Sequence, residues 1–138
     1  MHKAAATFAV ACAALAGAAF AQSQVLTAEE VRRELFGVEL IGVHERDGDS
    51  WRECIDPNGR TLYEAFGRSE RGRLAVTADG RACFTYDGDS YTSCFVVQRE
   101  GAGYRFEDFV TRSVRRGVTN CARGEDLIST LPGGALGR

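Results

Sequence analysis

The chain has 138 residues, enough for one small domain, and a formal net charge of −2. That charge balance excludes a long-range attraction to nucleic acid or to an anionic membrane. Basic residues cluster only locally, and we interpret the cluster as a solvated strand face: Arg112, Arg115, Arg116 and Arg123.

Residues 1–21 have the pattern of a secretory signal peptide. A short positive start at Lys3 precedes an alanine-rich apolar run, and the triplet Ala19-Phe20-Ala21 has small residues at its first and third positions. The run is too short and too rich in alanine to make a comfortable membrane span. We expect cleavage near Ala21, which predicts a periplasmic or secreted protein with no membrane span in the mature chain. An uncleaved anchor and lipidation at Cys12 are the alternatives.

The first predicted element after this segment is a short helix over residues 26–37. Thr27 is a suitable N-cap, and Glu30 three residues later completes a capping box. Gly37 is a natural stop signal. A helix of about ten residues needs packing against another element to persist.

From residue 38 onward the apolar residues alternate with a period of two, which predicts β-strands. The predicted strands are 38–44, 51–56, 60–67, 72–78, 81–86, 91–99, 103–110 and 113–121. Short Gly, Asp and Asn turns separate most of them, and such short connections make sequential strands antiparallel neighbours. The pattern predicts a mainly β domain, an antiparallel meander that forms a small lipocalin-like barrel or half-barrel with one short N-terminal helix.

The tetrapeptide Asp-Gly-Asp-Ser occurs twice, at 47–50 and at 87–90. A calcium loop of the EF-hand type needs Gly at its sixth position and Glu at its twelfth. Here Gly is second, and the twelfth residues are Asn58 and Gln98. We therefore interpret both copies as hairpin turns and predict no metal site.

Four cysteines follow the predicted cleavage site: Cys54, Cys83, Cys94 and Cys121. An even number in an exported chain predicts two disulfides. If residues 87–90 form a four-residue loop, the strand register places Cys83 directly opposite Cys94, within disulfide reach. Elimination then pairs Cys54 with Cys121.

The same register predicts which side chains form the core. In the hairpin formed by the predicted strands 81–86 and 91–99, the side chains expected to face the core are Ala82, Phe84, Tyr86, Tyr91, Phe95 and Val97. Residues an even number of positions apart in a strand point to the same face of the sheet. Three further apolar pairs are therefore expected to share a face: Leu74 with Val76, Tyr104 with Phe106, and Leu62 with Phe66. Glu64 lies between the last two and is awkward in that arrangement.

No catalytic constellation emerges from the sequence. His44 is the only histidine after the signal segment, so it is the one candidate base, and a solvent-exposed histidine is the simpler interpretation. Glu107 and Asp108 are adjacent in a predicted strand and would point to opposite faces. Glu125 and Asp126 are also adjacent. The cysteine spacing does not suit zinc. We predict no catalytic residues and no cofactor, and therefore not an enzyme.

Four motifs resemble a family of small exported bacterial proteins of unknown function. They are "LTAEEV", "DPNGR", "GRLAVTADGRACF" and a second "CF", spread over roughly residues 26–106. Members of the family carry LTAxEL, YFxPDGxF, GxWxVxxDGxxCF and a later CF. The resemblance implies export and supports the pairing of Cys83 with Cys94. It implies no activity and no catalytic residues.

The chain departs from that family pattern at three places. Leu74 stands where the family has tryptophan, and Cys54-Ile55 replaces the Tyr-Phe pair. Cys54 and Cys121 are additions to the pattern, which agrees with their forming a pair of their own.

We therefore expect a signal peptide over 1–21, a single disulfide-stapled β domain over 22–131 and a flexible tail over 132–138. The expected function is that of an exported non-enzymatic binding or envelope-associated protein whose partner is unknown. Two alternatives stay open. One is a carrier of a small apolar ligand in a barrel cavity, and the other is an inhibitor of a secreted hydrolase.

Overall fold

The structure is a computed structural model that describes residues 23–121. Several predictions lie outside these residues: the signal peptide and its cleavage near Ala21, Cys12, Arg123, the Glu125-Asp126 pair and the tail over 132–138. Among residues 23–121 no helix is both long enough and apolar enough to cross a membrane.

The described chain contains one helix and nine strands. They are β1 (Gln24–Val25), α1 (Ala28–Leu35), β2 (Val38–His44), β3 (Ser50–Ile55), β4 (Arg60–Ala65), β5 (Arg68–Val76), β6 (Arg81–Tyr86), β7 (Thr92–Glu100), β8 (Gly103–Phe106) and β9 (Phe109–Arg116). Strand β1 has no counterpart among the predicted elements, because two residues are too few to show alternation.

Strands β2 to β9 form a closed eight-stranded barrel. Each strand pairs antiparallel with the next one in the chain, and β9 returns to pair with β2. Strand β1 adds to β7 outside this ring. The predicted antiparallel barrel is confirmed, and the ring is complete.

Two turns lie elsewhere than the sequence predicts. Residue Phe66 has φ 52° and Gly67 has φ 70°, so a tight turn ends β4 and lets β5 start at Arg68. Glu107 has φ 53°, which places a turn between β8 and β9 inside the predicted strand 103–110. Phenylalanine and glutamate rarely take this left-handed conformation, so neither residue marks its turn in the sequence.

Helix α1 begins as predicted and covers one end of the barrel. Thr27 is the N-cap, and its capping box with Glu30 is complete in both directions. The helix ends at Leu35, before Gly37, which has φ 73°. Val31 and Leu35 are fully buried in the core between the ends of the strands.

A polar cluster fixes the helix to the barrel wall. The Tyr104 hydroxyl donates to Glu34 Oε2 at 2.9 Å, and Arg116 donates to the Tyr104 hydroxyl at 2.7 Å. Arg99 also forms an ion pair with Glu34. Burial raises the pKa of Glu34, but the contacts from Tyr104 and Arg99 outweigh it and hold that pKa below its usual value. We call this end of the molecule the closed end. Side chains of the helix fill it, and the Glu34 carboxylate has both a cationic partner and a hydroxyl donor there.

Both predicted cysteine pairs are at bonding distance. Cys83 and Cys94 lie opposite each other on β6 and β7, with sulfur atoms 2.07 Å apart. Cys54 and Cys121 join β3 to the segment after β9, at 2.09 Å. The second pair packs with Val118 on the outer surface of the barrel.

The predicted core is correct for most strands and wrong at two places. Ala82, Phe84, Val97, Leu74, Tyr104 and Phe106 are buried. Leu62 belongs to the outer face, where it packs against the Cys54–Cys121 pair, and Phe66 is 69% exposed. Tyr91 is 65% exposed because it belongs to the loop before β7.

The awkward position of Glu64 follows from the same correction. Thr61, Tyr63 and Ala65 are the residues of β4 that face inward, because they pair with the inward positions of β3. Glu64 therefore lies outside, where it forms an ion pair with Arg52.

Candidate functional site

The end of the barrel opposite α1 contains a cavity of about 210 Å³. In an antiparallel meander alternate connections lie at the same end, so this open end is bordered by the hairpin loops 45–49, 66–67, 87–91 and 107–108. Its apolar wall consists of Leu40, Trp51, Phe84, Phe95, Phe106 and Phe109.

A row of polar side chains crosses the inner wall of the cavity on three neighbouring strands. Glu53 on β3 lies opposite Tyr63 on β4, and Tyr63 lies opposite Glu70 on β5. Tyr86 on β6 completes the group, with its ring centroid 5.4 Å from that of Tyr63. All four side chains line the cavity.

Glu53 is the most unusual of these residues. It is 4% exposed, and its Oε2 accepts a hydrogen bond of 2.7 Å from the Tyr86 hydroxyl. Its Oε1 has no hydrogen-bond partner among residues 23–121. Burial raises the pKa of Glu53 to about 8, and the hydroxyls of Tyr86 and Thr61, which act in the opposite direction, do not offset it. The carboxyl group is therefore mainly protonated at neutral pH.

The two tyrosines stay neutral at any physiological pH. Burial, together with the negative charges of Glu53 and Glu70, raises the pKa of Tyr63 to about 12. The same causes, and the hydrogen bond to Glu53, raise the pKa of Tyr86 further. Both rings can therefore present neutral faces to the cavity.

Trp51 closes one side of the cavity against β2. Its ring packs over Gly42, where an added Cβ would lie 2.4 Å from the ring and 2.2 Å from the Val110 carbonyl oxygen. Only glycine allows this approach. The indole N–H of Trp51 has no hydrogen-bond partner within the described chain. Three buried polar atoms thus lack hydrogen-bond partners within the described chain: Trp51 Nε1, Glu53 Oε1 and Thr61 Oγ1.

The cavity lining contains acidic side chains but, within the described chain, no basic ones. Glu53, Glu70 and Asp89 are its ionisable acids, with Asp89 on the loop between β6 and β7. None of the residues in 23–121 that line this cavity is basic. Arg52 and Arg115 pair with Glu39 on the outer face, and Arg99 pairs with Glu34 at the closed end. Arg46 lies at the rim, where it lines a second cavity.

His44 lies at the rim, beside a second, smaller cavity of about 170 Å³. Its side chain is 13% exposed, so the expected solvent-exposed histidine is wrong. Nδ1 lies 3.1 Å from Asp47 Oδ1, and the ring packs edge-on against Phe109 at 4.9 Å. His44 therefore closes the first Asp-Gly-Asp-Ser turn against the barrel wall. The four described cysteines are all paired, so none of them supplies a thiol nucleophile beside it.

Both Asp-Gly-Asp-Ser copies are part of hairpin turns, as predicted. In the first, Asp47 Oδ1 accepts from the backbone N–H of Asp49 at 3.2 Å. In the second, the N–H of Asp89 donates to the Tyr86 carbonyl at 3.0 Å. Within residues 23–121 no group of three His, Cys, Asp or Glu side chains could hold a metal ion.

The acidic pair of Glu107 and Asp108 forms the turn between β8 and β9, so its predicted position within a strand is wrong. Of the basic cluster, Arg115 contacts Glu39 and Arg116 contacts Tyr104, while Arg112 is exposed. The interpretation of a solvated face is correct for exposure, but two of these residues also make specific contacts.

Sequence reasoning did not single out Glu53 or Glu70. A signal for Glu53 was present, because Trp51 and Ile55 flank it with the same parity and both are apolar. An acidic residue between two inward-facing apolar residues points to the interior of the barrel. Its role in the cavity depended on residues from three other strands, which no local pattern connects.

The chain matches no family model, and neither a curated protein nor a solved structure was found to be similar to it.

Proposed function

We propose that this protein is an exported, non-enzymatic binding protein that carries a small molecule in the open half of its barrel. The observation that supports the proposal is the cavity of about 210 Å³, which has an aromatic wall and an incompletely hydrogen-bonded glutamate inside it. Ligand sites in proteins combine these features, a mostly apolar lining with a few convergent polar groups.

The contrast between the two halves of the barrel supports a binding role. An eight-stranded barrel is just wide enough to be filled by its own side chains or to hold one small ligand. Val31 and Leu35 of α1, together with inward-facing residues, fill the closed end. The open end carries large rings on its wall and leaves space between them.

The volume limits the size of the ligand. An engineered apolar cavity of about 150 Å³ binds benzene, so about 210 Å³ suits a molecule of one ring or a similar number of heavy atoms. This observation favours the carrier over the hydrolase inhibitor, because an inhibitor requires an outer surface for its partner and not an interior cavity.

Export is supported by the two disulfides, since such bonds persist mainly in oxidising compartments. Sequencing the N-terminus of protein recovered from the periplasm and the culture medium tests this part of the proposal. A chain recovered only from the cytoplasm, with reduced cysteines, would contradict it.

The binding role is tested through the single tryptophan of the chain, since Trp51 lines the cavity. Purified protein is titrated with neutral molecules of one ring, such as phenol, benzyl alcohol and cyclohexanol. We expect a saturable change in Trp51 emission with at least one of them.

Two variants on one strand show whether the signal comes from the cavity. Ser93 lines the cavity and Thr92 beside it is exposed on the outer face. We expect S93F to fill the space and abolish the change, whereas T92F retains it. A change that persists in S93F, or no change with any compound in the wild-type protein, would rule out this site.

A further inference from the structure

We propose that the ligand of this cavity is a compact organic cation, an ammonium group on a small apolar body, which binds with its charge against Glu53 and its body among the aromatic rings. The inference rests on the proposed binding function and names the chemical class of its ligand.

The cavity lining contains acidic residues and, among residues 23–121, no basic ones. Three acids line the cavity: Glu53 is buried, Glu70 is two strands away in the same row, and Asp89 is half-buried on the loop. No basic residue in 23–121 lines the cavity, so none of these acids has a cationic partner in the lining. A cavity with acids of one sign favours entry of a cation.

Glu53 has a buried carboxyl oxygen without a hydrogen-bond partner in the described chain. Two other acids of the barrel that are largely shielded from solvent already have cationic partners: Glu39 pairs with Arg52, and Glu34 pairs with Arg99. Glu53 is as buried as Glu39, yet its Oε1 has no partner in the described chain. A buried carboxyl oxygen without a partner is unfavourable, and a ligand cation beside it would remove that defect.

Aromatic rings form much of the cavity wall. A cation gains most when it lies within about 6 Å of a Trp or Tyr ring in a desolvated site. The rings of Tyr63 and Tyr86 are tilted by 39° with centroids 5.4 Å apart, and Trp51 lies on the neighbouring strand. Tyr91, 65% exposed, adds a further ring at the mouth. A neutral apolar ligand would use these rings but would leave Glu53 unpaired.

Binding of a cation should release a proton from Glu53. Burial raises the pKa of this carboxyl group to about 8, so the empty protein holds the proton at neutral pH. The groups that face it are the hydroxyls of Tyr86 and Thr61, the Tyr63 ring and Glu70 across that ring. Burial raises the pKa of both tyrosines, so neither of them titrates between pH 6 and pH 9.

The test compares two probes of the same shape, choline and its neutral carbon analogue 3,3-dimethylbutan-1-ol. Choline carries a permanent charge, so pH changes only the protein. Calorimetric titration of the disulfide-bonded protein at pH 8.5 should show choline binding about tenfold more tightly or better, the scale of a desolvated cation–π contact. Below pH 8 the choline affinity should fall about tenfold per pH unit, because one proton must leave for each cation bound.

The E53Q variant should lose at least about tenfold in choline affinity and lose the pH dependence, while its affinity for the neutral analogue stays within about twofold. The E70Q variant is the matched control. It lies two strands away in the same row, so its choline affinity should fall less and should keep the pH dependence of the wild type.

Each outcome has a distinct meaning. Equal affinity for the two probes, or a choline affinity that does not change with pH in the wild-type protein, overturns the cation proposal and leaves the carrier proposal intact. If neither probe binds but a neutral one-ring compound does, the cation proposal fails alone. If nothing binds, both proposals fail.

Discussion

Glu39 and Glu53 lie on neighbouring strands of the same sheet and are both 4% exposed, yet their surroundings are opposite. Glu39 faces outward, and its Oε2 accepts from Nε of Arg52 at 3.0 Å and from Arg115 at 3.2 Å. Glu53 faces inward and receives one hydrogen bond, from Tyr86.

The difference shows that burial alone does not decide the role of an acid. A buried carboxylate with two arginines forms part of the framework, and its charge is stabilised where it lies. A buried carboxyl group with one hydroxyl partner and an adjoining cavity keeps its proton and has a free oxygen. For Glu39 we therefore expect the stability of the protein to fall when its arginine partner is removed. For Glu53 we expect stability and ligand affinity to change with pH.

The largest effect should follow from breaking the outer ion cluster. In R52M both Glu39 and Glu64 lose their shared cation, so the free energy of unfolding should fall by about 3–5 kcal/mol. Urea unfolding at pH 7 measures it. The control is R115M, because the Arg115 side chain is 49% exposed and its loss should cost under about 1 kcal/mol. Equal, small losses in both variants would show that the cluster is not structurally important.

The next effect concerns pH and compares wild type with E53Q. Burial raises the pKa of Glu53 from 4.5 in the unfolded chain to about 8 in the folded protein. Between these values the folded protein holds a proton that the unfolded chain has released, so rising pH favours unfolding by roughly 1.4 kcal/mol per pH unit. Wild type should lose about 3 kcal/mol of stability relative to E53Q between about pH 5.5 and pH 7.5.

Urea titrations at several pH values check that difference. Because E53Q cannot bind the proton, its stability should lack this component of the pH dependence. The E70Q variant should follow the wild-type profile. Parallel profiles for wild type and E53Q would show that Glu53 ionises as readily in the folded protein as in the unfolded chain.

The smallest effect concerns the one hydrogen bond that Glu53 receives. In Y86F a second carboxyl oxygen loses its partner, so the free energy of unfolding should fall by about 1–2 kcal/mol. The control is Y63F, since the Tyr63 hydroxyl forms no hydrogen bond within the described chain and its removal should cost under about 0.5 kcal/mol. A loss in Y63F as large as that in Y86F would assign the effect to packing.

Prediction succeeded where a local rule applied. The capping box at Thr27, the Cys83–Cys94 pair and most strand positions follow from spacing or alternation within a short stretch. The Cys54–Cys121 pair followed by elimination. Prediction failed where a residue adopted a conformation that its type disfavours, as at Phe66 and Glu107. The inner side of β4 was misassigned because Leu62 packs against a disulfide outside the barrel.

The sequence by itself determined an antiparallel meander and the Cys83–Cys94 cross-link, because alternation and turn chemistry act between residues close in the chain. The second cross-link then followed from the even number of cysteines. Only the tertiary structure decided that β9 closes on β2, and that Glu53, Tyr63, Glu70 and Tyr86 line one cavity. Closure brings together side chains from separate strands, and the solvation and charge of the cavity depend on all of them at once.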